Sequence, residues 1–481
     1  MTKTPILALL ALCAAPAAAQ GVPSPPQATF DLAAEIADGP AMTASQAADR
    51  AVASAPSLAR ARALSRAAEA SVARARAATL PRLEVSATYQ HVDGFEDGSI
   101  DIGSDPAAIE AARALASSVS DPAARTLWLG QIESQSGGSG VSIPVPRDRV
   151  GFSARLTWPV SDLFFAVLPA IDTAEAGVRA REHEEAVTTA GVRRSAVEAY
   201  YTLVRARGAA AVAREAQRQA EAAAAQVEAA VRAGYLTRAD RLAADARVAD
   251  IARGVASAEA GVEIADAALR MLMGDDPGPA YGVALGDVEV TDVTAESALA
   301  ARPELLALHE ALTAQRAAAR VEDSRGYPHL ALYAGADVAN PNRYQIPPQQ
   351  VFTPSWEVGA MLTYSPNDTL GAVHRGDELG AQQAATEAQI EQLERGVGLE
   401  VTQAHAQLRA ARRSVEAARI TEETAHEAYE SRLAQLRAGG ATTADLFAAE
   451  GMLDHARLET LDAEVQLRVA AAHLAYAGGV L

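Results

Sequence analysis

Cysteine, lysine and long apolar runs are nearly absent from this chain. Its one cysteine, Cys13, and its one lysine, Lys3, both lie within the first nineteen of 481 residues. That segment has an apolar run from Pro5 to Ala14 and Ala17-Ala18-Ala19 before Gln20, the pattern of a secretory signal with a small-residue cleavage site. The mature chain is therefore expected to start near Gln20, with no disulfide and no thiol. Lipidation of Cys13 is not favoured, because Leu10-Ala11-Leu12 places no small residue before it. The formal net charge of -19 becomes -20 when Lys3 is lost, which excludes nucleic acid as a partner, since phosphates need a basic face. After the signal no stretch of eighteen apolar residues occurs, so no transmembrane helix is expected. A membrane crossing by the mature chain would require a closed barrel.

Proline is missing where it matters. Residues 170–276 and 367–481 contain none of the 23 prolines. A helix-interior proline costs about 3 kcal/mol, so two proline-free tracts rich in Ala, Glu, Gln and Arg predict long helices. Val248, Ile251, Val255, Val262 and Leu269, and Ile390, Leu393, Val397, Val401, Leu408 and Val415, follow near-heptad spacing, as in coiled coils. Each tract is interrupted once, at Arg232-Ala-Gly-Tyr-Leu-Thr and at Arg437-Ala-Gly-Gly-Ala-Thr. A glycine can end one helix in the left-handed conformation and a threonine can cap the next, so each tract should fold back as a hairpin. A helix over 172–231 would be about 90 Å long. Part of each long helix must then pack on something other than its shorter return helix, and the shorter helices expected over 44–78 and 297–323 are the candidates.

The chain also repeats itself. Gly234, Thr237, Asp240, Glu259, Leu269 and Gly274 meet Gly439, Thr442, Asp445, Glu464, Leu474 and Gly479 at a constant offset of 205, and Pro56, Leu58, Pro81, Leu83 and Ala87 meet Pro303, Leu305, Pro328, Leu330 and Ala334 at 247. One unit is thus given twice. Before each hairpin stand strand-like segments with period-two alternation, at Leu83–Tyr89, Phe152–Trp158 and Val358–Tyr364. Such alternation suits a half-buried sheet or a membrane barrel equally. Trp158 and Tyr364, at equivalent strand ends, read either as membrane-interface aromatics or as core aromatics. Residues 92–149 form a polar loop with one short helix near 106–118, and the second connection, 338–355, is shorter.

Catalytic patterns are missing too. His183 stands among Glu182, Glu184 and Glu185 without the His-Glu-x-x-His spacing that brings two ligands to one helix face. Gly137-Gly138-Ser139-Gly140 reads as a linker, not a phosphate cradle. No enzymatic activity, cofactor or metal is expected.

Helix, strand, loop, strand, long helix, glycine-containing tip and return helix, given twice, resembles the whole protomer of the outer-membrane efflux protein (TolC) family, over roughly residues 42–479. The tip pattern Arg-x-Gly-x-x-Thr-x-x-Asp at Arg232–Asp240 and Arg437–Asp445, with Leu-Thr-Trp-Pro and Leu-Thr-Tyr-Ser-Pro closing the strands, carries the resemblance. It implies a mainly α fold with a membrane β-barrel. A homotrimer would contribute four strands per protomer to one 12-stranded barrel in the outer membrane, above a helical tunnel in the periplasm. It further implies an exit duct for an efflux or type I secretion system, with a periplasmic adaptor and an inner-membrane pump as partners. Asp240 and Asp445 would constrict the channel entrance, while Arg232, Gly234, Thr237, Arg437, Gly439 and Thr442 would form the adaptor-docking tips. Ala441 and Ala448 replace an Arg and a further Asp of the family pattern, which leaves an Arg-mediated latch without its usual residue; Arg238 could substitute. On local chemistry alone, Asp240 and Asp445 could equally be first-turn carboxylates favoured by the helix dipole. The expected organisation is signal 1–19, extension 20–41, first repeat 42–276, linker 277–296 and second repeat 297–481. The competing reading is a periplasmic coiled-coil scaffold or adaptor whose strands form a small soluble sheet.

Overall fold

The computed structural model describes residues 31–94, 98–101, 105–136, 140–143, 146–288, 290–345, 349–438 and 440–480. The expected signal at 1–19 with Cys13, Gly137 to Ser139 of the linker and the tip glycine Gly439 lie outside the described residues. In chain order the helices are α1 (Leu32–Ile36), α2 (Ala44–Ser54), α3 (Pro56–Ala77), α4 (Pro106–Ser117), α5 (Pro122–Ser136), α6 (Val160–Asp162), α7 (Leu168–Arg232), α8 (Arg238–Met273), α9 (Ala295–Ala301), α10 (Pro303–Ser324), α11 (Pro366–Arg437) and α12 (Thr443–Ala477). The strands are β1 (Arg82–His91), β2 (Gly98–Asp101), β3 (Gly140–Ile143), β4 (Asp148–Pro159), β5 (His329–Asn340) and β6 (Thr353–Thr363). A π-helical turn, Leu163–Val167, joins α6 to α7.

Three departures from the sequence expectation have local causes. The helix expected over 44–78 is two helices, because Pro56 occupies the first position of α3 and Ala55 before it is extended at φ -60°, ψ 118°, as a residue before proline prefers. Arg302-Pro303 divides 297–323 into α9 and α10 in the same way. The loop between β1 and β4 holds two helices where one was expected, α5 as well as α4, and a β2–β3 antiparallel ribbon.

The chain forms two compact units that cut across both repeats. Unit 1 comprises residues up to 53, 195–289 and 407–471, and brings together parts of α7 and α11 with α8 and most of α12. Its interior is built from Leu203, Val204, Val212, Leu269, Leu453 and Leu461 among many alanines. The small residues let helices approach closely. A Cβ on Gly208 would overlap Leu461 Cδ2. The segments that join the helices are fastened by side chains reaching backbone carbonyls. Arg207 donates to Ile36, Asp38 and Ala280 at 3.2, 2.6 and 2.9 Å; Tyr200 reaches Met42 and Ala284 at 3.0 and 2.9 Å; Arg468 holds Leu285 and Gly286. Buried carbonyls without such donors would be costly.

The repeat is visible as equivalent interactions 205 residues apart. Arg214 pairs with Glu259 at 2.8 Å, and Arg419 with Glu464 at 2.8 Å. Gly274 and Gly479, past the ends of α8 and α12, both take left-handed φ, 69° and 71°, the conformation a helix C-terminus needs and glycine adopts without strain.

Unit 2 comprises residues 54–194, 290–406 and 472–481. Here the shorter helices lie on the long ones, as the length mismatch requires. Arg62–Glu185 at 3.2 Å and Arg76–Glu175 at 2.7 Å join α3 to α7. Arg179–Glu310 at 2.9 Å joins α7 to α10, and Arg316–Glu387 at 2.7 Å joins α10 to α11. Such exposed pairs contribute about 0–1 kcal/mol each, so they set register more than stability. The unit also carries a four-stranded antiparallel sheet in the order β1-β4-β5-β6.

Candidate functional site

Two features stand out: the sheet of unit 2 and the two helical tips of unit 1. Strand pairing fixes which residues share a face of the sheet. Leu83 opposes Leu156, Ala87 opposes Phe152, and Tyr89 opposes Val150; Trp158 opposes Leu332; Leu330 opposes Leu362, and Ala334 opposes Val358. Since alternate residues point to opposite sides, one face is Leu, Val, Phe, Tyr, Trp and Ala along the strands until the loop end, where His91 opposes Asp148 and Val150 opposes Asn340. The other carries Glu84 opposite Arg155, Ser86 opposite Ser153, Gly335 opposite Glu357 and Asp337 opposite Ser355. On that polar face Ser86 bonds Ser153 at 2.8 Å, Arg155 pairs with Glu357 at 3.1 Å, and Ser355 donates to Asp337 at 2.6 Å.

The apolar face is uncovered. Val85 is 75%, Val358 69% and Leu362 68% exposed. A contiguous apolar surface of this kind marks an interaction with lipid or protein. Strands of 10 to 12 residues match the length of a tilted membrane-spanning strand. Among the described residues no helix is long and apolar enough to cross a membrane. Aromatics sit at both ends of the strands. At the helix-proximal end are Trp158, 38% exposed, and Tyr364, 53% exposed and one residue beyond β6, so neither is a core side chain in this protomer. At the loop end are Tyr89, Phe152 and Trp356, all exposed. Trp356 escaped sequence reasoning because the alternation was read only from Val358 onward. Among the described residues, the outer edges of β1 and β6 have no pairing partner in the sheet.

At the tips, α7 ends at Arg232, Gly234 takes φ +79°, and Tyr235 donates its backbone N–H to the Ala230 carbonyl at 2.9 Å. Gly440 donates to Gln435 at 2.8 Å at the equivalent place beyond Arg437 in the second repeat. Both threonines begin return helices in the same way. The Asp240 carboxylate accepts from Thr237 N at 2.8 Å and from its hydroxyl at 2.6 Å, while Asp240 N donates back to the hydroxyl at 3.3 Å. Asp445 and Thr442 repeat this at 2.9, 2.7 and 3.2 Å. These are reciprocal N-terminal caps. Hydrogen bonds to the charged form hold Asp240 and Asp445 below the usual carboxylate range, from the Thr237 hydroxyl first and from the Thr442 backbone first, respectively. Both carboxylates are therefore anionic at neutral pH. Their contribution to the caps is present above the ordinary aspartate range and is lost as pH falls through the lowered values.

Residues 294–480 match the outer membrane efflux protein family. Over that segment the chain is similar to outer membrane efflux proteins. Comparison with curated protein sequences finds no match. Among solved structures, the Campylobacter jejuni CmeC outer membrane channel superposes with a TM-score of 0.70 at 16% identity, covering 91% of this chain and 85% of that one. The open state of the Neisseria gonorrhoeae MtrE outer membrane channel gives 0.71 at 18% identity, over 91% and 88%. The outer membrane protein VceC of Vibrio cholerae gives 0.67 at 14% identity, over 91% and 96%. The fold is that of the efflux channels: long helical hairpins and a four-stranded antiparallel sheet in each chain. The family is one of channels rather than enzymes, and among the described residues no cluster of three His, Cys, Asp or Glu side chains could hold a metal.

Proposed function

We propose that this protein is the outer-membrane exit duct of a tripartite efflux or type I secretion system. Three copies assemble, with β1 of each protomer pairing with β6 of the next to close a 12-stranded barrel. The apolar face meets lipid and the Arg155–Glu357 face lines the lumen. The observation that carries this reading is the sheet itself, with one face apolar and exposed, the other polar, and two unpaired edges. A barrel removes such edges and is the only form in which a sheet spans lipid. A soluble periplasmic scaffold would leave the apolar face in water. The helices form the periplasmic tunnel, and Arg232, Gly234, Thr237, Arg437, Gly439 and Thr442 form the tips that dock a periplasmic adaptor bound to an inner-membrane pump. Chemistry on the cargo is no part of this role.

The test is single-channel recording of the purified protein in a planar bilayer, with the mass of the detergent-extracted oligomer measured in parallel. Discrete steps from a trimer are expected. A water-soluble, non-conducting monomer would overturn the assignment.

Within the trimer, Asp240 and Asp445 are proposed to ring the entrance, three copies of each near one axis, where like charges repel and attract cations. The double variant D240A/D445A should show higher conductance and weaker block by divalent cations added from the periplasmic side. If conductance and block are unchanged, the two carboxylates do no more than cap α8 and α12.

A further inference from the structure

Inside unit 1, where α7, α8, α11 and α12 pack together, the seam between the two hairpins holds ionisable side chains in place of apolar ones. Glu450 of α12 is 2% exposed, and its Oε1 has no hydrogen-bond partner among the described residues. Around Glu450 and Asp454 stand Glu215 from α7, Arg247 from α8, Tyr429 from α11, and Arg457 on α12 itself. A Cβ at Gly451 would stand 3.8 Å from Arg247 Nη2, so that guanidinium lies against the α12 backbone. Arg457 Nη1 is 3.9 Å from Asp454 Oδ1, with both side chains largely buried at 13% and 15% exposure. Glu215 is engaged from the outer side by Arg218 at 2.7 Å.

The cluster is not a product of the repeat. At the offset of 205, Glu215 corresponds to Ile420, Arg247 to Met452, Tyr429 to Ala224, Asp454 to Ala249 and Arg457 to Ala252; only Glu450 meets another acid, Asp245. Those counterparts include exposed side chains, Ile420 at 60% and Met452 at 67%. The ionisable groups thus occur once per protomer, at one hairpin-to-hairpin contact. Glu450 follows the tip residue Asp445 by five positions, or about 8 Å along the helix.

With all groups ionised, Glu215 is matched by Arg218 and Arg247 is shared with Asp250 at 3.8 Å, so Glu450 and Asp454 are two neighbouring, largely buried anions with incomplete compensation. A proton relieves that repulsion, and buried Glu450, whose Oε1 accepts no hydrogen bond among the described residues, is where it costs least to put it. We propose that this seam is a proton-operated clasp: with Glu450 protonated the two hairpins of a protomer hold together near their tips, and with Glu450 and Asp454 ionised they loosen. Burial pushes Glu450 up to about 7 and Asp454 up to about 6, with the Asp454 charge adding to the first. For an acid whose folded value is raised, the stabilisation is complete below the ordinary carboxylate range and is lost as pH rises through the folded value. The clasp is therefore closed at acid pH and released across neutrality.

The experiment uses the full chain in lipid nanodiscs with spin labels on Tyr235→Cys and Ala441→Cys, one at each tip. The mature sequence supplies no competing thiol. Electron-spin distance distributions between pH 5 and 9 should show a wider component growing by up to about tenfold per pH unit below the midpoint. Glu450→Gln, neutral and of the same shape, should hold the narrow distribution at every pH. Asp454→Asn removes the neighbouring anion and should move the midpoint to lower pH; it keeps the test open if the glutamine variant fails to fold. A distribution in the parent protein that does not change with pH, or a Glu450→Gln variant with the parental midpoint, overturns the clasp. The labels report the seam whether or not the protein conducts, so this outcome is separate from that of the bilayer recording.

Discussion

Val358→Arg should abolish accumulation of the protein in the outer membrane, whereas Met361→Arg three residues along the same strand should be accepted. Val358 is 69% exposed on the apolar face, opposite Ala334 in the middle of the sheet. An arginine at mid-depth on the lipid face of a barrel costs about 2–4 kcal/mol. The proposed three-fold assembly would carry that cost three times, a loss comparable with the whole stability of an ordinary folded domain. Met361 is 54% exposed and opposes Ala331, but it has the opposite parity and so lies with Glu357 and Gly359 on the polar face. There a guanidinium meets water and a neighbouring carboxylate. The measurement is the amount of oligomer in isolated outer membranes, normalised to total protein. Equal accumulation of both variants would show that the apolar face does not meet lipid, and equal loss would remove the distinction between faces on which the barrel rests.

Arg302→Ala should be the most damaging single truncation of a charged side chain in unit 2, at about 3 kcal/mol. Arg302 is 5% exposed at the junction of α9 and α10. It donates Nε to Glu304 at 3.0 Å, Nη2 to the same carboxylate at 3.3 Å, Nη1 to Glu400 at 2.9 Å and Nη1 to the Ala477 carbonyl at 3.3 Å. Its guanidinium also stands 5.2 Å from the Tyr476 ring centre. One side chain thus joins α10, α11 and the last turn of α12. Removing one partner of a buried ionic group costs about 3–5 kcal/mol, because the others are left uncompensated. The lower end applies here, since Glu400 is 39% exposed and regains water. Arg62→Ala is the matched control: its partner is Glu185 at 3.2 Å, but Arg62 is 53% exposed, so its loss should cost less than about 1 kcal/mol. Denaturant midpoints of the detergent-solubilised protein, followed by helical circular dichroism, distinguish the two. Equal midpoints would mean that the Arg302 network adds nothing beyond a surface pair.

Much of this architecture was legible because its signals are local. Two proline-free tracts correspond to α7–α8 and α11–α12, and one glycine and one threonine per tract marked where each turns back. Alternation located β1, β4 and β6 because it recurs every two residues whatever the strand packs against; β5 showed only through the repeat of Pro81, Leu83 and Ala87 at Pro328, Leu330 and Ala334, and β2 and β3 fell within the expected loop. The Pro56 and Pro303 breaks were also written in the chain, but they were outweighed by the helical composition around them. At the tips, sequence supplied Thr237–Asp240 and Thr442–Asp445 as spaced pairs. It did not show that each aspartate turns back onto its threonine.

What the sequence determined by itself, then, is the order and kind of elements, since helix, turn and strand preferences depend on neighbours within a few positions. The tertiary structure decided which residues meet across long separations. Register assigned Val358 to the apolar face and Glu357 to the polar one, and Trp356 to the far rim of the sheet. Packing brought Arg302 to Glu400, 98 residues away, and enclosed Glu450 among Glu215, Arg247 and Tyr429. The physical reason is that burial and charge pairing are properties of a surrounding volume. A glutamate on a helix reads as solvated until another helix covers it.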